Sequence, residues 1–175
     1  MRWQGRRSSS NVEDRRGMGG KGIVGGGLGI IILIIYTLLG GNPGDVINNN
    51  RLSGQQVPYE QTAEEEELAE FVSVVLADTE DVWNNIFSDM NREYTEPVLV
   101  LYTQSVQSAC GNAGSSTGPF YCPADQKMYI DLSFYDDLHR HFNAPGDFAM
   151  AYVIAHEVGH HVQYLLVISE QVQSL

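Results

Sequence analysis

The chain has little with which to hold nucleic acid: ten Lys and Arg stand against 22 Asp and Glu, a formal net charge of -12 at pH 7. Proteins that capture DNA or RNA neutralise phosphates with clustered cations, so that class of partner is excluded. Cysteine is equally scarce. Two in 175 residues cannot build a disulfide-held miniprotein or a four-cysteine zinc site, and they leave room for one bridge in an oxidising compartment. The length also falls short of two compact domains, and no internal repeat is visible.

The few positive charges are unevenly placed. Residues 1–41 carry six basic residues (Arg2, Arg6, Arg7, Arg15, Arg16 and Lys21) and two acidic ones, whereas residues 42–175 carry four and twenty. Between basic head and acidic body, Ile23 to Gly41 runs for 19 residues without a charged side chain. At 1.5 Å per residue that is enough to cross about 30 Å of hydrocarbon, and the run predicts a transmembrane helix contacting the lipid bilayer. A cleaved secretory signal is the alternative, but the run exceeds the usual core length and TLLGGNPGD offers no A-x-A-like site. With all six basic residues of the head before or at the edge of the run and only Arg51 close after it, the positive-inside rule puts the N-terminus in the cytoplasm and the body outside. The expected organisation is a basic cytoplasmic tail (1–22), a transmembrane helix (23–41), a polar linker (42–61) and a globular part (62–175). Gly25 and Gly29 have the G-x-x-x-G spacing that lets two anchors pack, and oligomeric state stays open.

Within the body, Thr62 followed by Glu65 forms a capping-box pattern, and Glu64 to Glu67 put negative charge on the first helical turn. Leu68, Phe71, Val72, Val75, Leu76, Val82, Trp83, Ile86, Phe87 and Met90 then recur at steps of three and four, predicting one long helix with a single apolar stripe. VLVLY (98–102) and KMYIDL (127–132) read as short strands. Between them QSACGNAGSSTGPFYCP (107–123) reads as a small-residue loop, whose Cys110 and Cys122 are expected to pair on the extracytoplasmic side. LSFYDDLHRHF (132–142) is a candidate short helix with Ser133 as cap, and His139 and His141, two apart, read as surface histidines. Asp147 is expected to cap a second long helix.

That helix carries His156-Glu157-Val158-Gly159-His160, an H-E-x-x-H pattern. Residues four apart on a helix share a face, so both imidazoles can approach one Zn²⁺ at roughly 2.0–2.1 Å. Glu157, turned by about 100° from His156, is placed to take a proton from a zinc-bound water. The extended metzincin pattern would need Gly and His where Gln163 and Leu166 stand. A hydrolytic zinc site has three protein ligands, and Glu170 is the sole acidic candidate downstream.

The start MRWQGRRSSSNVEDRRG, the glycine-rich apolar run, the block SACGNAGSSTGPFYCPADQKMYIDLSFYDDL and AHEVGHHVQ together resemble, in order, the bacterial neutral zinc metallopeptidases anchored in the inner membrane. The resemblance covers nearly the whole chain. It implies an α+β zincin-like domain with a small sheet over the H-E-x-x-H helix, His156 and His160 as zinc ligands, Glu157 as general base, and peptide or protein substrates cleaved on the periplasmic or extracellular side. It also implies a third ligand, a carboxylate on a later helix, beyond this chain's last residue. The chain is therefore expected to be the N-terminal portion of a member, with an incomplete first shell and weak or no activity. A catalytically inactive, membrane-tethered binding or scaffold protein is the alternative.

Overall fold

A computed structural model describes residues 1–17, 61–141, 144 and 146–168. The element order is β1 (Val12–Asp14), α1 (Ala63–Asp89), β2 (Val98–Tyr102), β3 (Ser105–Ser108), β4 (Gly111–Gly114), a 3-10 turn (Ser115–Thr117), β5 (Phe120–Cys122), β6 (Lys127–Asp131), α2 (Phe134–Arg140) and α3 (Asp147–Leu165). The domain is α+β. Four strands form a sheet in the order β1-β2-β6-β5, and β3 and β4 form a separate hairpin.

Helix α1 starts where its capping box dictates: Glu65 N–H donates to Thr62 Oγ1 at 3.2 Å and Thr62 N–H to Glu65 Oε2 at 2.9 Å. Its buried face, with Phe71, Val72, Val75 and Leu76, packs in one core with Leu99 and Leu101 of β2, Met128 and Ile130 of β6, and Ile154 and Val158 of α3. The expected stripe narrows after Ala77: Phe87 stays buried in the core and Trp83 packs against it, while Val82, Ile86 and Met90 are exposed. Strand β2 is covered on both sides, since alternate residues point to opposite faces. Leu99 and Leu101 meet the helices, while Val100 and Tyr102 pack with Tyr129, Cys122 and Val106 on the other face.

Two expectations are corrected here. The stretch 107–123 is not a plain loop: it contains the second half of the β3–β4 hairpin and the edge strand β5, which pairs antiparallel with β6. Its Gly, Ser and Ala residues give no hydrophobic alternation from which strands could be read. Cys110 and Cys122 are bonded, with Cα atoms 5.8 Å apart, and fasten the hairpin turn to β5. At α3, the N-cap is Gly146, and Asp147 is the first helical residue, its carboxylate 2.9 Å from the Met1 ammonium.

The larger correction concerns the basic head. Residues 1–17 are not a tail apart from the body: Trp3 is buried in the main core and β1 pairs parallel with β2, Val12 opposite Leu99. The head's cations answer the body's carboxylates. Arg6 meets Asp78 at 2.7 Å, Arg7 meets Glu80 at 3.0 Å and Asp81 at 2.7 Å, and the buried Arg16 meets Asp14 at 2.6 Å and Glu66 at 3.1 Å. Glu80, buried on α1, also accepts from Ser9 Oγ at 2.5 Å and Asn11 Nδ2 at 3.0 Å. The charge asymmetry that pointed to a cytoplasmic tail is thus largely complementarity within one domain. Gln61 Nε2 lies 3.2 Å from Asp14 Oδ2, so the chain on either side of residues 18–60 meets at one place. A bilayer dividing the head from the body would part β1 from β2. The expected transmembrane helix, 23–41, and most of the linker, 42–61, lie outside the described residues. No helix among the described residues is long and apolar enough to cross a membrane.

Candidate active site

Helix α3 presents two faces with opposite duties. Met150, Ile154, Val158 and His161 are buried towards the core, and His156 and His160 stand exposed on the outer side. The buried His161 is pinned at both nitrogens. Its Nε2 lies 2.7 Å from the Thr95 carbonyl, which can only accept, so Nε2 carries the hydrogen and Nδ1 receives the Tyr121 hydroxyl at 3.0 Å. Burial pushes its pKa down, partly opposed by the Thr95 carbonyl. Burial also pushes the Tyr121 phenol up to about 12. This pair is a neutral fastening between β5 and the helix.

On the outer face the Nε2 atoms of His156 and His160 lie 3.1 Å apart, with the rings nearly perpendicular at 87°. Two nitrogens on one tetrahedral zinc stand roughly 3.3 Å apart when each Zn–N distance is about 2.0–2.1 Å, so the pair fits such an ion. Gln163 Oε1 lies 3.2 Å from His160 Nδ1. As an acceptor it holds the hydrogen on Nδ1 and leaves the Nε2 lone pair free to ligate. Gln163 follows His160 by three residues, a spacing that the helical repeat alone could have flagged.

Glu157, next to His156 in the chain, is only 6% exposed. Burial raises its carboxyl above the ordinary range, against the pull of His160, His156 and the backbone amide of Tyr121, which favour the charged form. A carboxylate in such surroundings binds a proton more readily than one in water, as a general base must. His156 and Glu157 border one cavity of about 360 Å³ between α3, α2 and the loop leading into β5. A larger hollow of about 810 Å³, rimmed by Glu64, Glu67, Asp136 and Asp147, borders neither histidine.

Among the described residues no third His, Cys, Asp or Glu gathers with the pair into a group that could hold a metal ion. His139 and His141 are on the surface, His141 beside Asp137 at 3.7 Å. Glu170 lies outside the described residues.

The candidate site is therefore a helix, packed under a small sheet in an α+β domain, that shows two convergent imidazoles outward with a shielded carboxylate beside them. Over residues 1–175 the chain matches the family model described as "Putative neutral zinc metallopeptidase", and it belongs to that family. It is 49% identical over 187 residues to "Uncharacterized protein YpfJ" of Escherichia coli (strain K12), a match covering 100% of this chain and 65% of that protein. It is 35% identical over 135 residues to "Uncharacterized protein Rv2575" of Mycobacterium tuberculosis (strain ATCC 25618 / H37Rv) and to "Uncharacterized protein Mb2605" of Mycobacterium bovis, covering 74% of this chain and 46% of each relative. The chain thus spans 65% of the length of the Escherichia coli relative. No solved structure matches it.

Proposed function

We propose that this chain contributes the histidine pair and the general base of a zinc-dependent peptidase. The observation that carries the proposal is the 3.1 Å approach of the His156 and His160 Nε2 atoms beside a carboxylate that is 6% exposed. His156 and His160 hold the ion; when bound, Zn²⁺ lowers the pKa of water towards neutrality and polarises a carbonyl. Glu157 accepts the proton of the attacking water at a carboxylate oxygen and delivers it to the leaving amine, and its burial keeps that proton from bulk water. Gln163 orients His160. The third ligand comes from outside the described residues.

The test is hydrolysis of an unstructured protein such as casein by the zinc-loaded chain, beside Glu157→Gln. Removal of a general base costs on the order of 10²–10⁴ in rate. The expected result is that whatever hydrolysis the unaltered chain supports, however slow, falls by that factor with zinc content unchanged. No hydrolysis by the unaltered chain, with zinc absent at equilibrium, would favour the alternative of a binding protein in which the histidines hold no catalytic metal.

For location, we propose attachment to a lipid surface through residues 23–41, with both flanks of 18–60 on one side. The charge-free run supports the attachment. The contact of Gln61 with Asp14 supports the shared side. The Cys110–Cys122 bond supports an oxidising, extracytoplasmic compartment.

A further inference from the structure

The cavity of about 360 Å³ that His156 and Glu157 border has other walls of a different character: Tyr152 and Val153 on α3, Phe134 at the start of α2, and Gly118 and Pro119 before β5. We infer that it receives an apolar side chain, aromatic ones best, of a peptide substrate lying across the histidine pair, and that Tyr152 selects it. The inference rests on the peptidase reading and names the substrate class for it.

Three observations carry it. First, among the described residues the only ionisable groups in the lining besides Tyr152 are His156 and Glu157, both assigned to the reaction. A lysine or aspartate side chain placed there would lose water without gaining a partner of its own. Second, Tyr152 is 65% exposed, a large aromatic ring held in solvent one helical turn before His156, its centroid 6.4 Å from that imidazole. A ring stacked or edged against it would bury apolar surface on both partners. The volume lies at the small end for ligand pockets, room for one side chain and its flanking backbone and not for a folded partner.

Third, the opposite wall is held in place. Ser115 Oγ bonds Asp131 Oδ2 at 2.5 Å just before the wall, and the Cys110–Cys122 bond ties the strand just after it. Gly118 has φ 73°, a conformation that side chains other than glycine rarely adopt, and a Cβ there would stand 3.8 Å from Phe134 Cε2. The cavity is therefore bounded by a fixed wall on one side and an aromatic helix face on the other, the arrangement by which a pocket discriminates side chains.

Binding to the metal-free full chain tests this separately from hydrolysis. Backbone amide shifts are followed while N-acetyl-phenylalaninamide, N-acetyl-lysinamide or N-acetyl-aspartamide is titrated in. The lysine probe is the stringent control, because a protein of net charge -12 attracts it non-specifically. The expected result is saturable shifts at Gly118, Tyr152 and Val153 with the phenylalanine probe, weaker ones with the charged probes, binding roughly two- to tenfold poorer in Tyr152→Ala, and near-normal binding in Tyr152→Phe. Equal response to lysine, no saturable shift, or full retention in Tyr152→Ala would each overturn the inference. Selective binding in a chain whose His156 and His160 take up no zinc would uphold the pocket and defeat the peptidase reading.

Discussion

The hydroxyl of Tyr121 meets Nδ1 of His161 at 3.0 Å, and through that contact the edge strand β5 is fastened to the back of the helix whose front carries His156 and His160. The rings of Tyr121 and Tyr94 also make T-shaped contacts with His161, at centroid distances of 5.4 and 6.0 Å. Although it directly follows His160, His161 belongs to the scaffold.

Replacing it should therefore cost stability. In His161→Ala the Tyr121 hydroxyl and Thr95 carbonyl lose their partner and a core ring is removed, for about 2–4 kcal/mol. Tyr121→Phe should cost about 1 kcal/mol. Urea unfolding of the two single variants and the double variant checks this: the double should lose less than the sum, because both remove the same bond. Strict additivity would mean that the bond contributes nothing.

Gln163→Ala should weaken zinc binding roughly tenfold, the range seen when the partner of a ligating histidine is removed, while leaving the melting temperature within a few degrees. Competition against a chromophoric chelator measures it. An unchanged affinity would remove Gln163 from the site.

The head's ion pairs give stability a definite pH dependence. Lys127 first, then Arg15, lowers the Glu13 pKa from its ordinary 4.5, and Arg16 lowers that of Asp14 from 3.8. Folded carboxyls with depressed pKa values contribute stability that is present above the ordinary values and is lost as pH falls through the lowered ones. Both side chains are more than a third exposed, so each contributes no more than about 1 kcal/mol. The urea midpoint of Glu13→Gln/Asp14→Asn should sit below that of the unaltered chain at pH 7, and the gap should close below about pH 4. A gap that is constant with pH would show that shape, not charge, ties the head down.

In sealed membrane vesicles, epitope tags before Met1 and at the exposed His141 turn should be reached from the same face. Tags on opposite faces would mean that the β1–β2 pairing does not exist in the membrane-bound protein.

Much of this was legible before any coordinates. Thr62 and Glu65 announce the start of α1, VLVLY and KMYIDL announce the two central strands, the second one residue too long, and the four-residue spacing of His156 and His160 places two imidazoles on one face. The disulfide is expected from two cysteines only on the premise of an oxidising compartment. Other features depend on contacts between distant segments. Trp3 and the arginines of the head look like a tail until Glu80 and Asp78 are seen opposite them, because charge counts along a chain cannot tell a lipid-facing cation from one that pairs across the fold. The hairpin and β5 escape because their small residues carry no periodic signal. Glu157 is recognisable from the motif, but its shielding is not, since Tyr121 and the loop before it come from a segment some 36 positions earlier.

The pairing of Val12 with Leu99 also dictates an order of events during synthesis. The strand that emerges first from the ribosome cannot join its neighbour until residues around 99 have followed it out, and closing so long a loop is slow. Until then Trp3 and the bare edge of β1 stay open to wrong partners. The head therefore joins the sheet only after β2 has been made.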